Sequence, residues 1–198
     1  GYSVSLNSDG SIVAIGSIFN DNDAGDSAGH VRVYEYSGSS WGQKGADIDG
    51  EAADDWSGRS VSLSSDGDIV AIGANLNDGG GTSAGHVRVY EYSGSSWSQK
   101  GADIDGEAAG DQSSSESTTV SLSSDGSIVA IGAIYNDGGG TDSGHVRVYE
   151  WNSGTSAWDQ KGSDIDGEAA GDHFGYSVSL SNDGSILAIG APHNDGTG

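Results

Sequence analysis

The segment SVSLSSDGDIVAIGANLNDGGGTSAGHVRVYEY, residues 60–92, decides the fold of this chain. Its apolar residues alternate with small or polar ones, which is the two-residue period of a β-strand and not the period of a helix. Gly, Asp, Asn and Ser occupy the breaks between these runs, and SSDG is short enough to join two antiparallel strands. The segment therefore predicts three antiparallel strands, and the next turn, SGSS, leads to a fourth strand through WSQKGADI.

The same unit recurs along the chain. SVSL occurs at Ser3, Ser60 and Ser177 and as TVSL at Thr119, and the valine of this motif advances in steps of 57, 59 and 58 residues. GHVRVYE begins at residues 29, 85 and 144. We therefore predict three complete repeats and the first half of a fourth, with boundaries at 1–57, 58–116, 117–174 and 175–198.

Four short strands per repeat, without any helical stretch, predict an all-β fold of tandem four-stranded antiparallel blades, a β-propeller. The first two strands combine Val, Ile and Leu with Ser, Ala and Gly, which suits the narrow space near a propeller axis. Tyr and Trp are concentrated in the third and fourth strands, where the space between blades widens. Each blade is expected to be stable only when it is stacked on its neighbours.

About three and a half blades are too few for a closed ring, since about four is the minimum. Three arrangements remain open: a longer natural chain, an oligomer that shares strands, and an open superhelical stack of blades. We expect the 198 residues to be a window of a longer array. The expected partners are neighbouring repeats of that longer chain or other copies, because uncovered sheet edges favour association.

The charge of the chain argues against one class of partner. Seven basic residues against 30 acidic ones give a formal net charge of −23. Such a surface repels phosphate backbones, so nucleic-acid binding is not expected. No apolar run is long enough to cross a bilayer, so membrane insertion is not expected either. The absence of cysteine excludes disulfides and thiolate metal sites.

The last repeat resembles a known family. FGYSVSLSNDGSILAIGAP, residues 174–192, is similar to the FG-GAP repeat, the unit of the integrin α-subunit propeller and of many secreted proteins. This copy keeps both signature ends, Phe174-Gly175 and Gly190-Ala191-Pro192, whereas the others lack the Phe and read GSI, GAN and GAI at the second end. The resemblance implies a β-propeller, typically of seven blades, in an extracellular or cell-surface protein. Repeats with DGEAAGD and GHVRVYEW are similar to those of algal and bacterial surface proteins.

A nine-residue acidic phrase leads from each fourth strand to the next repeat. It reads DIDGEAADD at 47–55 and DIDGEAAGD at 103–111 and 164–172. Asp-x-Asp-Gly begins many calcium loops, because carboxylates suit Ca²⁺ and Gly permits a tight bend. The candidate ligands are Asp47, Asp49, Glu51, Asp55, Asp103, Asp105, Glu107, Asp111, Asp164, Asp166, Glu168 and Asp172.

The alternative interpretation of the phrase, which we favour, is a solvated turn, because the EF-hand spacing is absent. The resemblance supplies no calcium ligands, since the FG-GAP site lies in a longer loop between the first two strands, which here is SSDG. NDNDAGD, residues 20–26, is a competing Ca²⁺ site through Asp21, Asp23 and Asp26, with a Gly-rich solvated loop as its alternative. Ca²⁺ is the one cofactor that the sequence suggests.

The histidines and basic residues are as periodic as the strands. His30, His86 and His145 each begin a third strand, and we expect them to form hydrogen bonds there. One Arg and one Lys per repeat predict pairing with the repeated acids: Arg32, Arg88, Arg147, Lys44, Lys100 and Lys161. No Ser-His-Asp constellation stands out from the repeats.

The similarity of the repeats predicts that the chain is not an enzyme, because catalysis normally needs one distinct constellation. The sequence therefore predicts a non-catalytic extracellular structural or adhesive repeat protein, in a surface filament or larger array. The alternative is a module that binds a protein or glycan partner through loops stabilised by Ca²⁺.

Overall fold

Residues 1–196, which the computed structural model describes, form seventeen β-strands and no helix. The first sheet contains β1 (Ser3–Leu6), β2 (Ile12–Ser17), β3 (His30–Tyr36), β4 (Trp41–Gln43) and β5 (Ile48–Asp49). The second contains β6 (Ser60–Leu63), β7 (Ile69–Ala74), β8 (His86–Tyr92), β9 (Trp97–Gln99) and β10 (Ile104–Asp105). The third contains β11 (Val120–Leu122), β12 (Ile128–Ala133), β13 (His145–Asn152), β14 (Ala157–Gln160) and β15 (Ile165–Asp166). The fourth pairs β16 (Ser177–Leu180) with β17 (Leu187–Gly190).

The first three sheets share one antiparallel topology. Four strands follow in chain order across each sheet, and a short fifth strand also pairs with the third. This arrangement confirms the prediction of tandem antiparallel blades, and the sheets of the described residues do not close into a ring. No helix in residues 1–196 could span a membrane.

The SSDG turns form as the sequence predicts. In the second blade, Asp66 Oδ1 accepts hydrogen bonds from Ser64 Oγ at 2.6 Å and from the Asp68 amide at 3.0 Å. Gly67 has a φ of +73°, a conformation that a residue without Cβ adopts readily. The turn therefore sets the register that places Val61 opposite Ile72.

The fourth strand differs from its prediction. WSQKGADI does not form one strand, because residues 100–103 separate β9 from β10 while both strands pair with β8. Gly101, with a φ of +83°, lies in this bulge. A Cβ at Gly101 would lie 2.8 Å from Trp151 and 3.0 Å from Trp158 of the next blade. The interruption thus lets two tryptophans of the following blade approach the backbone.

The hydrophobic core lies between blades. Ile12, Ala14, Val31 and Val33 of the first blade pack with Val61, Leu63, Val70 and Ile72 of the second, and the next pairs of blades pack in the same way. All six residues of β7 and of β12 are buried, since a blade covers each face. In β2, buried residues alternate with half-buried ones, because only one face is covered. Stacking therefore supplies the apolar interior of each blade.

The first strands of successive blades lie side by side, as their small residues predict. The Leu63 amide donates to Ser5 Oγ, the Leu122 amide to Ser62 Oγ and the Leu180 amide to Ser121 Oγ, each at 3.0 Å. Larger side chains at these serine positions would separate the strands and break the bonds.

The FG glycine of the last repeat has a specific packing role. Gly175 has a φ of +92° and lies against the backbone of Gly132 in the preceding blade. Gly132 has no room for a Cβ, which would overlap the Gly175 carbonyl oxygen. Two glycines, one in each motif, therefore allow the backbones of adjacent blades to touch.

Candidate functional site

The first carboxylate of each acidic phrase pairs within its own blade. Asp47 accepts hydrogen bonds from Arg32 Nε at 3.0 Å and from Gln43 Nε2 at 2.6 Å. The bonds from Arg32 lower the pKa of the Asp47 carboxyl below its usual range. Asp103 has the same partners, Arg88 and Gln99, and Asp164 accepts from Gln160.

The second carboxylate of each phrase lies in a short strand beside a histidine. Asp49, Asp105 and Asp166 are exposed and pair in register with His30, His86 and His145, respectively. Two of the three predicted histidine positions, His86 and His145, have a buried Nδ1 without a hydrogen-bond partner. Nδ1 forms no hydrogen bond in these two copies, because the nearest carboxylate oxygens lie 3.6–3.9 Å away, and hydrogen bonding by the histidines at the strand starts stays a prediction.

The third carboxylate crosses to the next blade. Glu51 forms an ion pair with Arg88, and its Oε1 lies 3.9 Å from His86 Nδ1. Glu107 Oε1 lies 3.6 Å from Arg147 Nη1, and its Oε2 lies 3.6 Å from His145 Nδ1. The pairing of the periodic arginines with the acids is thus confirmed, both within blades and between them. Glu168, in the third phrase, is exposed.

The last carboxylate of each phrase is buried in a joint between blades. Asp55, Asp111 and Asp172 accept hydrogen bonds at 2.9 Å from three asparagines of the following blade, Asn77, Asn136 and Asn194. The backbone amides of Ala108 and Ala169 also donate to the aspartates of their phrases. Asn77 also donates to Glu51 at 2.9 Å and Asn136 to Glu107 at 3.5 Å, so one asparagine bridges the third and last carboxylates of a phrase. The first carboxylate pairs within its own blade instead, so the carboxylates of one phrase do not all surround a common point.

Carboxylates come together at the histidines, from two different phrases at His86 and His145 and from a single phrase at His30. Three groups have ligand atoms that all lie within 4.8 Å of one another: His30 with Asp47 and Asp49, His86 with Glu51 and Asp103, and His145 with Glu107 and Asp164. Burial lowers the pKa of all three histidines from its usual value and thereby favours the uncharged imidazole. Sequence reasoning missed these groups because it treated each phrase as one site; the signal was the shared period of the histidines and acids.

The loop at residues 20–26, which contains the other candidate calcium ligands, does not bring its carboxylates together with a histidine of the described residues. Asp21, Asp23 and Asp26 are all exposed, and Asp21 Oδ1 accepts a hydrogen bond from the Ser27 amide at 2.9 Å. Within residues 1–196, none of the three belongs to a group of close metal-ligating side chains. Calcium binding by this loop stays a prediction.

The comparison with protein families confirms the resemblance of the last repeat. The family model of the FG-GAP repeat matches residues 163–198, which contain the Phe174-Gly175 and Gly190-Ala191-Pro192 ends. No sequence among the curated proteins matches the chain.

A crystal structure of a candidate 6-phosphogluconolactonase from Bacteroides uniformis is similar in fold. The TM-score is 0.52 at 11% sequence identity, over 94% of this chain and 42% of that one, so this chain spans less than half the length of that structure. The prediction that the chain is not an enzyme is wrong. A candidate lactonase has a similar fold, so an enzymatic activity is not excluded. The match itself establishes only the fold.

Proposed function

We propose that the chain is a structural and adhesive repeat module of an extracellular or cell-surface protein, and that its end faces stack on further blades, which a second copy of the chain can supply. One observation carries the proposal: the outer face of the first blade is apolar and exposed, although the equivalent face of each later blade is covered. The FG-GAP likeness of the last repeat supports the location.

Side chains on this face of the first blade are far more exposed than the equivalent side chains of the second blade. Val4 and Leu6 are 68% and 58% exposed, whereas Val61 and Leu63 are 5% and 8% exposed beneath the first blade. Trp41 lies on the same face and is also exposed, whereas its equivalent Trp97 packs against the first blade. Contiguous apolar residues of this kind indicate a protein interface.

The other end of the chain presents the complementary face. Ile12 and Ile128, both buried, pack over the turn glycines Gly67 and Gly184 of the following blades. Ile186, the equivalent residue of the fourth sheet, is 69% exposed. A second copy can therefore place its Val4 face against the Ile186 face of the first. Because the two faces differ, such contacts form a ring if they close and a filament if they do not.

Sedimentation velocity over a range of concentrations tests the proposal. The wild-type chain is expected to form larger species with increasing concentration, whereas Leu6→Asp and Ile186→Asp each block one end and stay monomeric. An equimolar mixture of the two variants retains one intact pair of faces and is expected to give a 1:1 dimer. Ser39→Asp, in an exposed turn, is the charge-matched control.

A wild-type chain that stays monomeric at every concentration would overturn the proposal, as would association that Leu6→Asp leaves unchanged. Circular dichroism of each variant confirms that a loss of association does not follow from unfolding. Electron microscopy of the associated wild-type chain then distinguishes rings from filaments.

A further inference from the structure

We propose that two joints between blades bind a divalent transition-metal ion, zinc by donor chemistry, one through His86, Glu51 and Asp103 and the other through His145, Glu107 and Asp164. This differs from the calcium loop that the sequence suggested, because each ligand set contains an imidazole and joins two successive phrases.

Two buried nitrogen atoms point to a ligand. His86 and His145 are 3% and 1% exposed, and Nδ1 of each is buried without a hydrogen-bond partner. Buried polar atoms are nearly always hydrogen-bonded, so each exception needs a physical explanation. The same atom lacks a partner in both blades, and in both it faces carboxylate oxygens.

The distances fit ligands that share an ion. His86 Nδ1 lies 3.7 Å from Asp103 Oδ2 and 3.9 Å from Glu51 Oε1, and His145 Nδ1 lies 3.6 Å from Glu107 Oε2. These separations exceed those of a hydrogen bond, which ends at about 3.2 Å. Ligand atoms around a tetrahedral zinc ion are about 3.4 Å apart, so these three imidazole–carboxylate distances exceed that separation by about 0.2–0.5 Å.

The donor set selects the metal. An imidazole with two carboxylates suits zinc and similar ions, whereas calcium prefers six to eight oxygen atoms. Arg88 donates to Asp103 from Nε at 2.9 Å and also pairs with Glu51, so it holds both carboxylates in place. Such outer partners orient the ligands of many metal sites. Two carboxylates and one guanidinium give the group a net charge of −1, which attracts a dication.

The first blade supplies a natural comparison. His30 lies near Asp47 and Asp49, both from its own blade, and has no glutamate from a preceding phrase within the described residues. The fully buried Nδ1 atoms without a partner are those of His86 and His145. We therefore expect two tightly bound ions per chain. Since Glu51 and His86 belong to different blades, the ion would link consecutive blades.

Metal content tests the inference. The chain is treated with a chelator, equilibrated with a small excess of zinc and passed over a desalting column, and bound zinc is measured by elemental analysis. The wild-type chain is expected to retain two ions, His86→Asn and His145→Asn one each, and the double variant none. His193→Asn, an exposed histidine beside His173, is the control and is expected to retain two.

A second measurement needs no variant. Cobalt added to the metal-free wild-type chain is expected to give the visible absorption of four-coordinate Co²⁺, saturating at two equivalents and unaffected by excess calcium. The inference is overturned if wild type and double variant retain equal zinc. It is also overturned if the cobalt bands are absent, or if calcium abolishes them.

Discussion

Asn77 donates a hydrogen bond from Nδ2 to Asp55 Oδ2 at 2.9 Å, and this buried bond joins the second blade to the acidic phrase that follows the first. Equivalent bonds with the same length join Asn136 to Asp111 and Asn194 to Asp172. The last aspartate of each phrase is thus a structural residue of the interface between blades. This role gives one physical reason for the recurrence of the phrase with every repeat.

The hydrogen bond between Asn77 and Asp55 predicts the effect of a single charge added at this interface. Asn77→Asp places a second carboxylate against buried Asp55, which lowers the free energy of unfolding by about 2–3 kcal/mol at neutral pH. Asn182→Asp adds the same charge to an exposed turn and is expected to change stability by less than about 0.5 kcal/mol. Urea denaturation of both variants measures the difference, and equal costs would show that Asp55 is not held by Asn77 in this interface.

The sequence predicts what depends on neighbouring residues along the chain. The alternation of apolar and small residues in β7 predicts a strand, and the SSDG turn predicts a hairpin. The repeat spacing predicts the stack of blades. Two features could not be predicted because they join residues far apart in the sequence. Asp55 and Asn77 belong to different repeats, and the bulge at Gly101 depends on Trp158 of the next blade. The histidine groups were missed for the same reason, since Glu51 and Asp103 come from different phrases.

Trp158 and Trp41 provide a matched pair for the outer contact between blades. Trp158 Nε1 donates to the Lys100 carbonyl oxygen at 2.7 Å, whereas the equivalent Trp41 lies on the uncovered face of the first blade. Trp158→Phe removes this bond and is expected to cost about 1 kcal/mol of unfolding free energy. Trp41→Phe, in dilute solution, is expected to cost less than about 0.5 kcal/mol. Equal costs in denaturant titrations would contradict the packing of Trp158 on the preceding blade.

The backbone contact between Gly132 and Gly175 predicts a local effect on the fourth sheet. Gly132→Ala forces a Cβ against the Gly175 carbonyl oxygen, so the two blades must separate at a cost of about 1–3 kcal/mol. Hydrogen exchange is expected to become faster mainly in β16 and β17. Gly42→Ala is the control, because no atom lies within 4 Å of its added Cβ. Unchanged exchange in Gly132→Ala would show that the blades do not touch there.

The SSDG-type turns predict how stability responds to acid. Asp183 Oδ1 accepts hydrogen bonds from Ser181 Oγ and Ser185 Oγ, both at 2.7 Å, and bonds to these serines lower its pKa to about 2. The equivalent bonds from Ser123 and Ser127 lower the pKa of Asp125. Because the folded pKa lies below the unfolded value, the ionised carboxylates stabilise the fold above about pH 4, and this contribution is lost as the pH falls toward 2.

A comparison with a double variant isolates this contribution. Acid also relieves repulsion within a chain of net charge −23, an effect of opposite sign that wild type and variant share almost equally. Asp125→Asn with Asp183→Asn keeps an acceptor oxygen in each turn but removes its charge. The wild-type chain should therefore be more stable than the variant at neutral pH, and the difference should shrink steadily below about pH 4. Denaturant midpoints at several pH values measure it, and a difference independent of pH would show that the turns do not favour the ionised carboxylates.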